Sequence, residues 1–326
     1  MKKLVPIFAF FLMPLFSVAQ FAPSVGQIGT SAISADSNIF VEWATGCTIT
    51  RGFQDISNPS LGYTSVGDPT FATEKAGING VVSLGDGGVA ILTFSRPIKN
   101  GEGWDFAVFE NSFNDLFLEL AFVEVSSDGI NYYRFPAISN TQDTLQVDGF
   151  GELDATKINN FAGKYRSGYG TPFDLEELKN IPQLNVDAIT HVKIIDVVGC
   201  IQSQYTSLDN QGEKVNDPWP TPFPSSGFDL DAVGVIHQVP ANVEKYDNFD
   251  IFSVYPNPAK DKLMIRNSSI QPLKLTIQNN LGQIIYQSTS NKPIESIDLQ
   301  DFSNGIYIII IESNLQRSVQ KFIIAR

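Results

Sequence analysis

The sequence contains few of the residues that most often carry catalysis. Its 326 residues include two histidines, His191 and His237, and two cysteines, Cys47 and Cys200. The patterns H-E-x-x-H, C-x-x-C and G-x-S-x-G do not occur in it, so zinc-dependent proteolysis, dithiol redox chemistry and hydrolysis at a nucleophile elbow have no motif here. We therefore predict that the protein is not an enzyme.

Long hydrophobic runs are missing after the first 20 residues. At the start, Lys2 and Lys3 precede an apolar run over residues 4–15, and small Ser17 and Ala19 occupy the −3 and −1 positions of a cleavage site. This pattern predicts a signal peptide over residues 1–19, cleaved before Gln20. The later apolar runs are only of strand length, which predicts a mature chain without a transmembrane segment.

Positive charge is also scarce in most of the chain. Residues 21–250 hold 12 Lys and Arg against 30 Asp and Glu, a formal balance of −18, whereas residues 251–326 hold 8 against 5. An anionic surface repels phosphate backbones and anionic lipids. The balance therefore disfavours nucleic acid and membrane surfaces as partners, and favours cations or neutral ligands.

The two cysteines acquire a role if the chain is exported. Because extracellular compartments are oxidising, we predict a disulfide between Cys47 and Cys200, which are 153 residues apart. Such a bridge would remove about 5 kcal/mol of unfolded-chain entropy in the loop-closure picture. The alternative is two buried free thiols, since cysteine packs well as a small apolar residue.

Short strand-like segments predict an all-β fold for residues 20–240. Three of them, Val89–Phe94, Trp104–Glu110 and Leu118–Ser126, are rich in β-branched and aromatic residues. Asn100-Gly101 and Asp128-Gly129 are dipeptides typical of two-residue hairpins. These patterns predict a jelly-roll-like antiparallel β-sandwich.

Three further expectations concern packing. Leu118–Ser126 is apolar on both faces, so we expect it to be covered on both sides. Asp174-Leu175-Glu176-Glu177 has the form of a capping box and predicts a helix of about two turns, the one helix of the mature chain. Trp43 and Trp104 are expected in the core, Trp104 because Phe106 and Val108 alternate with it.

The C-terminal part changes character at a polar stretch that contains Pro240. We interpret residues 241–250 as a linker and residues 251–326 as a second domain. About six short strands separated by tight turns follow in these 76 residues, which predicts a small immunoglobulin-like β-sandwich.

This second domain resembles the type-A C-terminal sorting domain of proteins exported by the bacterial type IX secretion system. The residues that carry the resemblance are Pro256, Asn257 and Pro258 after Tyr255, Gly282 in Asn280-Leu281-Gly282-Gln283, Gly305 and Tyr307 in Gly305-Ile306-Tyr307, and Lys321 in Lys321-Phe322-Ile323-Ile324. The resemblance implies that the type IX machinery is a partner. It also implies a location outside the cell or on the outer face of the outer membrane of a Gram-negative bacterium, with the tail often removed on the way.

The large domain is similar to a family of uncharacterised bacterial cell-surface proteins. The likeness rests on Gly85-Asp86-Gly87-Gly88, Asp105–Asn111, Val123–Gly129 and Gly227–Gly234. The Val123–Gly129 element is also similar to a hairpin of carbohydrate-binding jelly rolls. We expect the large domain to bind a glycan or another extracellular ligand.

Aromatic residues in loops are the predicted ligand-binding residues. Tyr165, Arg166 and Tyr169 lie in a glycine-bearing loop, and Trp219 and Phe223 lie in a proline-rich one. Exposed aromatic rings stack on sugar faces and flat cofactors. The alternative is that these rings pack on the sandwich as covers.

Acidic residues in the later loops suggest calcium. Asp209 and Asp217 lie in a flexible loop, while Asp229 and Asp231 are two residues apart in a strand and would share a face. Because calcium binds six to eight oxygen ligands, we predict one structural calcium ion shared by these four residues. The alternative is that the carboxylates cap their own loops as Asx turns.

The sequence supports non-covalent binding as the function, with two alternatives. A glycan hydrolase that uses carboxylates such as Glu110, Glu119 and Asp174 would need two of them at catalytic separation. A purely structural surface or adhesion protein would need no concave site. An aromatic platform would favour binding.

Overall fold

The computed structural model describes residues 21–240, 252–267, 271–313 and 317–326. The predicted signal peptide and the predicted linker lie outside the described residues. The chain divides into two compact units, one up to residue 241 and one from residue 242. In the described parts, no helix is long and apolar enough to cross a membrane.

The first unit is built of short strands and single 3-10 turns. Its strands are β1 Ile33–Ser34, β2 Glu42–Trp43, β3 Gly46–Thr50, β4 Val82–Ser83, β5 Val89–Ile98, β6 Phe106–Glu110, β7 Ala121–Ser126, β8 Tyr133–Arg134, β9 Ile138–Ser139, β10 Ile158–Asn159, β11 Phe161–Ala162, β12 Tyr169–Phe173, β13 Ile189–Asp196 and β14 Asp229–Val235. Its 3-10 helices are Pro59–Leu61, Pro69–Ala72, Ala155–Lys157 and Leu175–Leu178.

Two antiparallel sheets form the sandwich of this unit. The first has the order β1-β12-β6-β14-β2 with β4 also on β14, and the second has the order β11-β7-β13-β5-β3 with β8 on β7. Residues of both sheets, among them Leu92, Val108, Val123 and Val233, share one buried core. The predicted all-β fold is confirmed.

Strand β7 is covered on both faces, as its sequence predicts. Val123 and Val125 point into the main core, whereas Leu120 and Phe122 join a second apolar cluster with Phe161 on the other face of the same sheet. Apolar residues between the strands of this region, such as Leu118 and Leu153, therefore pack onto the sheet.

Four local predictions need correction. Asn100-Gly101 does not make a hairpin, because β5 and β6 belong to different sheets and the chain crosses between them there. The Asp128-Gly129 hairpin exists, but Val125 pairs with Tyr133, so its loop is longer than two residues. Asp174 does cap its segment through the amide of Glu176, yet this segment is one 3-10 turn. Trp104 is exposed.

The second unit is a smaller two-sheet sandwich. Its strands are β15 Phe252–Tyr255, β16 Lys262–Asn267, β17 Leu273–Asn279, β18 Ile284–Ser290, β19 Ile294–Asp298, β20 Gly305–Glu312 and β21 Arg317–Ile324. They form the sheets β15-β16-β19 and β18-β17-β20-β21. Side chains from both sheets, including Ile265, Ile277, Ile309 and Phe322, form its core.

Candidate ligand-binding surface

Four loops meet at one end of the first unit. The loop after β6 leads into β7, the loop after β13 leads into β14, and the loop after β11 leads into β12. Because β7 pairs antiparallel with β11 and β13, and β6 pairs antiparallel with β12 and β14, all three loops emerge on the same side. The loop after β9 joins them where the amide of Leu153 donates to the carbonyl of Leu116 over 2.7 Å.

These loops present a row of four phenylalanines, which we name the aromatic ridge. The ring centres of Phe113 and Phe117 are 5.2 Å apart, those of Phe117 and Phe150 are 6.2 Å apart, and those of Phe150 and Phe223 are 6.0 Å apart. The exposed fractions of Phe113, Phe150 and Phe223 are 75%, 69% and 44%. An exposed contiguous apolar surface of this kind marks an interaction site more often than isolated exposed residues do.

Backbone contacts between neighbouring loops fix the position of the ridge. The amide of Trp219 donates to the carbonyl of Val147 over 3.1 Å. A Cβ atom on Gly149 would lie 2.2 Å from the carbonyl oxygen of Pro220, so only glycine allows the loop of Phe150 to approach the loop of Phe223 this closely. Asn114 accepts from the amides of Leu116 and Phe117. The rings are therefore held on ordered backbone.

A polar cleft, lined in part by residues of the same loop as Phe150, lies in the first unit. It comprises two cavities of about 310 and 370 Å³ that share Asn140, Thr141 and Lys157. The other residues lining it are Ser139, Gln142, Asp143, Val147, Glu152, Leu153, Asp154, Glu213 and Lys214. Amide, hydroxyl, carboxylate and ammonium groups of these residues can hydrogen-bond to the hydroxyl groups of a ligand.

The predicted ligand-binding residues divide into exposed and buried ones. Phe223 belongs to the ridge. Arg166 lies over the ring of Tyr169 at 4.8 Å and pairs with Asp115 at 3.1 Å, beside the loop of Phe113 and Phe117. Tyr165 and Trp219 are buried, because their polar tips bond inside the unit: Tyr165 to the hydroxyl of Ser31 at 2.7 Å, and Trp219 to the carboxylate of Asp86 at 3.1 Å. These two rings are covers and are not available for stacking.

Sequence reasoning missed Phe113, Phe117 and Phe150. The available signal was a phenylalanine flanked by small or polar residues, as in Asn111-Ser112-Phe113-Asn114 and Gly149-Phe150-Gly151. A large apolar side chain among residues typical of turns has no adjacent strand partner to bury it. Their alignment into one row depends on contacts between distant loops, which no local pattern encodes.

The four predicted calcium ligands are not brought together. Asp209 accepts from the amides of Ser139, Gln211 and Glu213, and Asp217 accepts from the amide of Leu120. Asp229 accepts from the hydroxyl of Ser83 and Asp231 from the amide of Gly77. The pairing of β14 with β6 shifts register between Leu230 and Ala232, so Asp229 and Asp231 do not present their carboxylates as one pair. No group of three or more His, Cys, Asp or Glu that could hold a metal ion occurs among the described residues, so the structure does not join these four carboxylates in one metal site.

The predicted disulfide is not formed either. Cys47 and Cys200 are both free thiols. Cys47 packs against the main core of the sandwich, whereas Cys200 lies in a separate cluster with Val198 and Trp219. Burial raises the pKa of the Cys47 thiol to about 12, which leaves it protonated and unreactive at neutral pH.

Carboxyl groups that are buried (Glu110, Asp196 and Asp217) or half-buried (Glu119 and Asp229) lie beneath the same loops, and we name these five residues the acid cluster. Burial, assisted by the charge of Asp229, raises the pKa of Glu110 to about 8. Burial also raises the pKa of Asp229 to about 6 and holds the pKa values of Asp196 and Asp217 well above their usual range. For Glu119, burial and then the charges of Glu110 and Asp229 raise the pKa.

Three members of the acid cluster, Glu110, Asp196 and Asp217, fasten loops to the sandwich. Glu110 accepts from the amide of Ser112 at 2.7 Å, next to Phe113. Asp217 accepts from Leu120 at 3.0 Å, and Asp196 accepts from Gly87 at 2.9 Å and Phe228 at 2.7 Å. These bonds explain why acids are tolerated in the interior. Their role here is to position backbone.

The second unit holds the residues of the sorting resemblance in ordered positions. Asn257 accepts from the amide of Ile323 and donates to the carbonyl of Lys321, which ties the Pro256–Pro258 segment to β21. Gly282 has a φ of +77° in the turn between β17 and β18. Tyr307 stacks on Phe322 at 5.6 Å and donates to the carbonyl of Ser303. Gly305 begins β20 opposite Ile324.

Three known proteins are similar to parts of this chain. Ulvan lyase NLR42 of Nonlabens ulvanivorans is 39% identical over 62 residues, which are 19% of this chain and 12% of that protein. An immunoglobulin-like DUF3244 protein of Bacteroides vulgatus has a TM-score of 0.22 at 15% identity, over 25% of this chain and 90% of its own. PorZ of Porphyromonas gingivalis, a surface component of the type IX secretion system, has a TM-score of 0.22 at 14% identity, over 37% of this chain and 20% of its own. At these TM-scores the two structures do not bear on the function of this chain.

The family comparison concerns the second unit. The model of the secretion system C-terminal sorting domain matches residues 253–325, which span all seven strands of that unit except the first residue and include every residue named in the sorting resemblance. The type IX machinery is therefore a partner of this chain, and export to the cell surface or into the medium follows. Residues 253–325 belong to the type IX secretion system C-terminal sorting domain family.

Proposed function

We propose that the first unit is a glycan-binding module that acts without turnover on the outer face of the outer membrane of a Gram-negative bacterium. The observation that carries the proposal is the aromatic ridge with a polar cleft whose lining shares a loop with it. Phe150 lies in the ridge, and Val147 and Glu152 of the same loop line the cleft. A single ligand of several sugar units would reach both.

The chemistry of the two surfaces matches the two faces of a sugar. Pyranose rings carry C–H groups that pack on aromatic side chains, and hydroxyl groups that need donors and acceptors. Asn140, Gln142 and Glu152 supply such groups in the cleft. Because the cleft lining also includes Lys157 and Lys214 beside its acids, it carries both signs of charge and suits neutral or mixed glycans better than a polyanion.

Binding is favoured over hydrolysis by the position of the acids. Glu110, whose raised pKa would suit a general acid, is buried and lines none of the cavities described above. Asp174 is used as the cap of the 3-10 turn. A glycosidase needs both of its carboxyl groups to reach the scissile bond, and neither of these residues is placed to do so.

Replacing Phe113 and Phe150 together by alanine is expected to weaken glycan binding. Each lost stacking contact is worth about 1 kcal/mol, so the double variant should bind about thirty-fold more weakly. A glycan array with the mature full chain identifies the ligand, and isothermal titration of that glycan measures the loss. Both rings are exposed, so the melting temperature of the variant should stay close to that of the parent.

Ile130→Ala is the matched control for this experiment. Ile130 is exposed like Phe113 but lies in the β7–β8 hairpin loop, at the opposite end of the sandwich. It should leave the affinity unchanged. Equal affinities of the parent and the double variant would refute the ridge as the binding surface, and an array without any bound glycan would favour the structural or adhesion alternative.

A further inference from the structure

A pocket rich in positive charge lies at the end of the first unit opposite to the aromatic ridge. Arg96, Lys99 and His237 line a cavity of about 370 Å³ together with Val41, Ile236 and Gln238. Arg96 and Ile98 lie at the C-terminal end of β5, and His237 follows the C-terminal end of β14. We name Arg96, Lys99 and His237 the basic pocket.

The two long cations of the basic pocket have no acidic partner among the described residues. Arg96 donates to the carbonyl of Val239 at 3.1 Å, and neither it nor Lys99 forms an ion pair within the described part of the chain. Two unpaired cations in one cavity thus form a local positive field in an otherwise negative unit.

His237 is held in place by a buried acid. Its Nδ1 lies 2.8 Å from Oδ1 of Asp105, and Asp105 also accepts from the amides of Gly101 and Leu175 at 2.8 Å each. Since Nδ1 faces Asp105, Nε2 is the ring nitrogen left for a ligand. The carboxylate itself is buried and fully engaged, so it orients the imidazole and does not occupy the cavity.

Glu42, which contacts Gln238 of the pocket lining, is engaged as well. Glu42 accepts from the hydroxyl of Ser95 and from the side-chain amide of Gln238, and it does not line the cavity. The cavity wall therefore offers a guanidinium, an ammonium and an imidazole nitrogen, with apolar contacts from Val41 and Ile236. Guanidinium and ammonium groups bind oxyanions through charge-assisted hydrogen bonds.

We propose that the basic pocket binds an oxyanion, either as a free ion or as the sulfate or carboxylate group of an acidic sugar. A cavity of this volume accommodates one monosaccharide. The site is independent of the aromatic ridge, because the two lie at opposite ends of the sandwich. The chain would thus hold a ligand with a charged group at one end and a stacking ligand at the other.

The test is titration of the mature full chain with inorganic sulfate and, separately, with glucuronate and a sulfated monosaccharide. Arg96→Gln combined with Lys99→Gln should weaken binding at least about tenfold, because each charge-assisted bond contributes more than 1 kcal/mol. Tighter binding of the sugars than of sulfate identifies a sugar-borne group, and equal binding identifies the free ion.

Lys75→Gln combined with Lys179→Gln is the matched control. It removes the same charge from two exposed lysines that are paired with Asp36 and Glu176, and it should leave oxyanion binding unchanged. Phe113→Ala with Phe150→Ala should also leave it unchanged, which separates this proposal from the proposed function. An equal loss in the lysine control, or no binding of any of the three probes by the parent, overturns the proposal.

Discussion

Deletion of residues 251–326 is expected to stop the protein from leaving the cell. The predicted signal peptide remains in this variant, so we expect the truncated chain still to cross the inner membrane and accumulate in the periplasm. Its cargo unit has its own core and should stay folded there. Cell fractionation and surface proteolysis of the truncated and full-length chains measure the difference, which we expect to be nearly complete.

A point variant tests whether export depends on the folded sorting domain or only on the length of the chain. Phe322→Ala removes a fully buried ring from the core of the second unit, which costs about 3–5 kcal/mol and should unfold this small sandwich, with the same loss of export. Val319→Ala, at an exposed position of the same strand, should be exported normally. Equal surface levels of the truncated and full-length chains would show that the tail is not the export signal.

The strands and the tail could be predicted from the sequence because their signals are local. Leu118–Ser126 is apolar on both faces in the sequence, and β7 is covered on both faces in the structure. The second unit repeats a pattern of short strands and turns whose registers are set by neighbours close in sequence, such as β20 with β21. Where the paired strands are neighbours in the sequence, the alternation of apolar and polar residues is sufficient to predict them.

The connection at Asn100-Gly101 shows where local reasoning fails. Its composition is typical of a tight reversal, but the direction of the next strand is set by Asp105. That side chain accepts from Gly101 and Leu175 and so ties the connection to a segment some 70 residues away. Turn chemistry predicts that the chain bends, but it does not predict which sheet the chain joins next. Trp104, expected in the core, is exposed for the same reason.

The candidate site could be predicted only in part. Phe223 lies exposed in its loop, and Arg166 and Tyr169 are half-buried, Tyr169 as the first residue of β12. Tyr165 and Trp219 are buried by partners distant in sequence, Ser31 and Asp86. An aromatic residue with a polar tip suits a surface or an interior position equally well. The deciding factor is whether a partner for that tip lies in the fold, and this depends on tertiary structure.

The acid cluster makes stability depend on pH in an unusual direction. Burial raises the pKa of Glu110 from its ordinary value of 4.5 to about 8 in the folded chain, so the folded state binds this proton more tightly than the unfolded state does. The stabilisation is fully present below pH 4.5 and is lost as the pH rises through about 8. Most proteins gain stability over part of this range because their paired carboxylates have lowered pKa values. The acid cluster opposes that gain.

Glu110→Gln is therefore expected to stabilise the protein at alkaline pH. Glutamine keeps an oxygen that can accept from the amide of Ser112 but carries no charge to be desolvated, so the loss with rising pH, on the order of 5 kcal/mol for Glu110 alone, should disappear. The removed charge also lowers the repulsion that raises the pKa of Glu119. Near pH 5 the variant and the parent should have similar free energies of unfolding.

Denaturant unfolding at several pH values, with a chelator present so that no bound cation offsets the charges, measures this effect. Glu102→Gln, which removes the same charge from an exposed position, should follow the pH dependence of the parent. If Glu110→Gln destabilises the protein at both ends of the pH range, the carboxylate of Glu110 is ionised in the folded state and makes favourable contacts as an anion. If the variant flattens the curve as expected, the buried acids beneath the aromatic ridge are held neutral by the fold, and the loops that present the ridge loosen as the pH rises.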